Sequence, residues 1–138
     1  MNFIEKLFGG AKGDGFNQRQ REALVDLLIL CQYADNVLRL SEEELIKSKL
    51  QELKWDSAKP LDYYMNEAVA RVRDARASAE AQMDFISYIS SRLETNAVRQ
   101  RALSIMGSVF RADRQRTERE IALQKQIQSA LERSHKSS

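Results

Sequence analysis

The chain has 138 residues, 22 basic and 20 acidic side chains, and a formal charge of +2. That length fits one domain and is short for two. One proline and five glycines leave few breakers for the many turns of a β-sandwich. One cysteine and one histidine exclude a disulfide framework and a zinc site built from those residues.

Residues 1–15 read as a separate N-terminal piece. Phe3, Ile4, Leu7 and Phe8 fall on one face of a short amphipathic helix, and a glycine-rich linker follows from Gly9 to Gly15. Glu5 and Lys6 interrupt the apolar stretch, so it does not read as a secretory signal. With no apolar run of about 20 residues to span a membrane and a lone Cys31, a cytoplasmic protein is expected.

A folded domain is expected over 16–133 and a disordered tail over 134–138. Its first helix carries Leu24, Leu27, Leu28, Cys31 and Ala34 at helical spacing, with Val25 flanking. Cys31 reads as a small core residue. Ser41 and Glu44 have capping-box spacing and open a second helix with Leu45, Ile46, Leu50 and Leu53 on its stripe. Pro60 suits the first turn of a third, which carries Leu61, Tyr64, Met65, Ala68, Val69 and Val72. Tyr63 and Tyr64 point about 100° apart, one inward and one outward. After a break near Ala77-Ser78, Met83, Ile86, Ile89 and Leu93 mark a fourth helix. Thr95 or Asn96 caps a fifth, with Val98, Ala102, Ile105, Met106, Val109 and Phe110. A sixth starts near Thr117 with Ile121, Leu123, Ile127 and Leu131. The fold class is all-α: a single-domain bundle of about six main helices plus the short N-terminal one.

Two helix-loop-helix units look alike. Ala34-Asp35-Asn36 precedes Ser41-Glu42-Glu43-Glu44, and Ala112-Asp113-Arg114 precedes Thr117-Glu118-Arg119-Glu120. An offset of 78 superimposes Asp35 on Asp113, Glu42 on Glu120, Leu45 on Leu123 and Leu53 on Leu131. This double pattern of Ala-Asp, short loop and helix-opening glutamate resembles the tellurite-resistance TerB-like family over roughly residues 17–133. The resemblance implies a helical bundle linked to stress responses, no enzymatic activity, and acidic loop residues as metal contacts. Asn36 and Arg114 stand where that family's pattern has glycine. Arg114, Arg116 and Arg119 also place positive charge beside Asp113, which opposes a cation there.

If the repeats face each other, Asp35, Glu42, Asp113 and Glu120 converge as oxygen ligands for Ca²⁺ or Mg²⁺. The competing readings are local: Asp35 bonding loop amides, Glu42 favouring a helix N-terminus, or the acids pairing with Arg111, Arg114 or Arg116. Arg71, Arg73 and Arg76 on one helix, and Arg99, Arg101, Arg111, Arg114, Arg116 and Arg119 later, are interrupted by acidic neighbours and read as a solvated face. No recognition motif accompanies them, which argues against nucleic acid as a partner. The N-terminal segment has three readings: docking on its own bundle, binding a protein partner, or weak association with a membrane surface. Two functions stay open. One is a non-catalytic module that binds a cation or an unknown protein partner through its acidic loops. The other is a scaffold recruited through Phe3, Ile4, Leu7 and Phe8, with the acids purely structural.

Overall fold

In a computed structural model of the chain, residues 15–33, 40–112 and 117–136 are described. They form helices α1 (Gln18–Gln32), α2 (Leu40–Leu50), α3 (Leu61–Ala75), α4 (Ala79–Leu93), α5 (Asn96–Ala112) and α6 (Glu118–Lys136), with no strand among them. The all-α bundle expected from the periodicity is what these residues build. The short helix over Phe3, Ile4, Leu7 and Phe8 lies outside the described residues.

Local chemistry marks the helix starts. Asn17 and Gln20 form a reciprocal capping box on α1, each side chain accepting the other's backbone N–H at 2.8 Å. Ser78 Oγ accepts from the Ala81 amide at 3.0 Å at the start of α4. Thr95 and Thr117 do the same for Val98 and Glu120, both at 3.2 Å. Pro60 stands at the cap of α3, one residue before the first turn assigned to it. Helix α2 starts at Leu40, one residue before Ser41. Helix α6 runs on through Ser134, His135 and Lys136, expected as tail, because no breaker follows Leu131.

Between α4 and α5 the chain turns within a single residue. Glu94 has φ 72 and ψ −62, and the Thr95 amide donates to the Leu93 carbonyl at 2.8 Å. That is a γ-turn of the strained hand, seldom adopted by a residue with a Cβ.

Helix α1 packs against all five other helices. Every residue from Ala23 to Tyr33 is therefore buried, not just one stripe. Val25, expected at the edge of that stripe, is fully enclosed, as are Ile29 and Leu30. A helix that is apolar all round belongs inside a bundle. The other helices each turn one face toward it: Ile46 and Leu50; Met65, Ala68 and Val72; Ile86, Ile89 and Leu93; Ala102, Met106 and Val109; Leu123, Ile127 and Leu131. Tyr64 is buried and Tyr63 exposed, as their angular separation requires.

The helix starts keep the spacing of the sequence pattern. Gln18 and Asn96, which open α1 and α5, are 78 apart, as are Leu40 and Glu118, which open α2 and α6. The caps Asn17 and Thr95 follow the same offset. So do the buried pairs Leu24 and Ala102, Leu28 and Met106, Cys31 and Val109, and Arg21 and Arg99. The correspondence weakens in the second helix of each unit: Leu50 is buried where Gln128 is exposed.

No helix among the described residues is long and apolar enough to cross a membrane.

Candidate functional site

One charged residue interrupts the apolar run of α1. Asp26 is fully buried in the middle of the bundle. An isolated carboxylate there would be strongly unfavourable, so its partners decide whether the helix can sit at the centre. Its Oδ1 accepts from Arg71 Nη2 at 2.8 Å and from the Tyr64 hydroxyl at 3.2 Å. Its Oδ2 accepts from Arg92 Nη2. Helices α3 and α4 thus each send one guanidinium to the same carboxylate.

The two arginines differ in setting. Arg92 is buried, and its guanidinium lies 3.9 Å from the centre of the Tyr88 ring. The Arg71 side chain is 37% exposed and stacks 4.9 Å from the Tyr64 ring. Burial works to lower the Arg71 pKa, but the Asp26 charge and hydrogen bond outweigh it and raise it. The Tyr64 hydroxyl is pushed up, first by burial and then by the Asp26 charge, and stays protonated. With both oxygens occupied by fixed donors, Asp26 acts as a clamp holding α1, α3 and α4 together.

Arg71 also leads to the surface. It lines an open groove of about 420 Å³ between α3 and α4, together with Asp74, Ala75, Ala81, Asp84, Phe85 and Tyr88. The lining is mainly apolar. Tyr88 is exposed on one wall, and the exposed carboxylates of Asp74 and Asp84 stand one on each side. Asp26 answers both Arg71 and Arg92, so Arg71 keeps part of its positive charge at the groove beside the carboxylates of Asp74 and Asp84.

The acidic positions of the sequence pattern fare differently. Asp35 and Asp113 lie outside the described residues, as does the Glu42 side chain, although Glu42 falls in the first turns of α2. Glu120 is buried at the start of α6. Thr117 Oγ1 donates to its Oε1 at 3.5 Å and accepts from its amide, which is cap geometry. The Glu120 carboxylate also acts on Cys31 of α1: burial pushes that thiol up, and the Glu120 charge pushes it further. Cys31 is therefore an inert core thiol. Among the described residues, no three His, Cys, Asp or Glu side chains gather as a metal site.

Part of the arginine face is not solvated. Arg71 turns in to Asp26, and Arg99 is buried with its Nε donating to the Ser90 carbonyl at 3.2 Å. The expectation fails for these two because each finds an acceptor brought near by a neighbouring helix. Arg73 stays exposed and reaches the Tyr33 hydroxyl at 2.6 Å. Arg111, Arg114 and Arg116 have side chains outside the described residues.

The Asp26 clamp and the groove residues Phe85 and Tyr88 were not singled out in the sequence. A signal existed for Asp26: it is the one charge between Ala23 and Cys31. No periodicity identifies which arginines answer it.

No protein-family model, curated protein or solved structure matches the chain.

Proposed function

We propose that this chain is a non-catalytic, TerB-like stress-response module that works by binding a protein partner in the groove between α3 and α4. The groove carries the reading. It is open, lined mainly by apolar surface, rimmed by two carboxylates, and held in shape from behind by the Asp26 clamp. Its volume lies within the ordinary range of recognition pockets, about 300–1,000 Å³. An apolar trough with an exposed aromatic edge suits an amphipathic segment laid lengthwise. The TerB-like part rests on the Ala-Asp loop pattern and on helix starts and caps that recur at one offset.

A photoreactive phenylalanine analogue at Tyr88 tests this in the host cell, with the same analogue at the exposed Tyr63 as control. The expected result is a discrete adduct at position 88 that increases under tellurite stress and disappears with Ala81→Asp in the same chain. Equal capture at positions 63 and 88 would defeat the groove as a recognition surface. An adduct indifferent to stress would defeat the stress-response part.

A further inference from the structure

The groove has a candidate occupant within the same chain. At the start of the described structure, Asn17 Nδ2 donates to Glu94 Oε1 at 3.3 Å, and Gln20 Nε2 donates to the Leu93 carbonyl at 3.1 Å. The chain therefore enters α1 beside the C-terminal end of α4, one wall of the groove. Tyr88 lies about 9 Å along α4 from that point and Ala81 about 20 Å, at roughly 1.5 Å per residue. Residues 9–14 can span up to about 20 Å when extended, so residue 8 can be delivered to the level of Tyr88 and Phe85.

Size and charge also agree. A helix over 2–8 would be about 10 Å long, and the stretch from Ala81 to Tyr88 is about 10 Å as well. Phe3, Ile4, Leu7 and Phe8 share one helical face, with Lys6 flanking it on one side and Glu5 on the other. The groove offers Ala75, Ala81, Phe85 and Tyr88 as its apolar lining and Asp84 on the α4 wall.

We propose that residues 2–8 dock in cis in the groove between α3 and α4, with Phe3, Ile4, Leu7 and Phe8 against its apolar lining and Lys6 facing Asp84. The inference rests on the groove being a recognition surface, as proposed above. A short glycine-rich tether sets an effective concentration for the segment in the millimolar range, which favours this site over a membrane or a second copy. So short a helix binds a membrane only weakly by itself. A partner of similar chemistry then binds by displacing the segment.

The test uses the full chain with Asn2→Cys carrying a nitroxide. Cys31 is buried and stays unlabelled in the native state. The expected result is selective broadening of the Ala81, Asp84 and Phe85 amide signals. Asp84→Lys should weaken the effect several-fold, and adding Lys6→Asp should restore it. Absent or uniform broadening overturns the inference, as does failure of the charge swap to restore it. Broadening of an unlabelled isotopic copy by a spin-labelled one would assign the contact to a second molecule and also overturn docking in cis. A peptide of residues 1–14 titrated into the Phe3→Asp, Leu7→Asp chain separates the two proposals. Groove shifts with this peptide, but no broadening in the labelled chain, would remove only the cis contact. No shift in the groove would count against the recognition surface itself.

Discussion

Asp26 and Arg92 lie 66 residues apart in the chain and meet as a buried ion pair between α1 and α4. Both side chains are buried, so each charge depends on its partners: Arg92, Arg71 and the Tyr64 hydroxyl for Asp26, and Asp26 for Arg92. The pair is a condition for burying α1 rather than a net source of stability.

Asp26→Ala leaves the Arg92 charge buried and uncompensated. We expect a loss of about 3–5 kcal/mol, read as a lower urea midpoint with an unchanged slope. Asp26→Leu combined with Arg92→Met should recover most of that loss. Arg71→Ala should cost less than Arg92→Ala, because its side chain is 37% exposed and solvent screens it. Equal losses for the two arginines would contradict the solvent screening of Arg71.

The caps Asn17 and Thr95 occupy equivalent places in the two units. Replacing either with alanine should cost about 0.5–2 kcal/mol. Asn17→Ala also removes the contact to Glu94, the residue next to Thr95, so the double variant should depart from additivity. A double-mutant cycle by denaturant unfolding measures this directly.

Alkaline pH should destabilise the fold through Cys31. Its folded pKa is raised above the ordinary value by burial and by Glu120. Stability from this group is complete below about pH 8.5, where the unfolded thiol is also protonated. Above that, the unfolded state releases a proton that the native state keeps, and stability falls by up to about 1.4 kcal/mol per pH unit. Tyr64, raised in the same direction, adds to the decline above about pH 10. Cys31→Ala should flatten the curve between pH 9 and 10. An identical pH dependence in that variant would remove the thiol as the cause.

Glu120 should behave as a cap and not as a ligand. Glu120→Ala is expected to lower stability by about 1 kcal/mol through the lost capping contact. Calorimetric titration with Ca²⁺, Mg²⁺ and Mn²⁺ should be unchanged by it. Saturable binding lost alike in Asp35→Asn, Asp113→Asn and Glu120→Gln would instead place these acids in one cation site.

The sequence by itself determined the helices and many of their limits, because those signals are local. Asn17, Ser78, Thr95 and Thr117 satisfy amides within their own first turn, and Pro60 marks the start of α3. The inward turn of Tyr64 over Tyr63 is local in the same sense. Tertiary structure alone decided which helix takes the centre, and so turned the expected stripe of α1 into an all-round buried surface. It also chose Arg71 and Arg92, from several exchangeable arginines, as the partners of Asp26, and opened the groove beside them. Helical periodicity shows which residues share a face, whereas charge pairing and grooves depend on which faces meet, and that is settled only when distant helices pack.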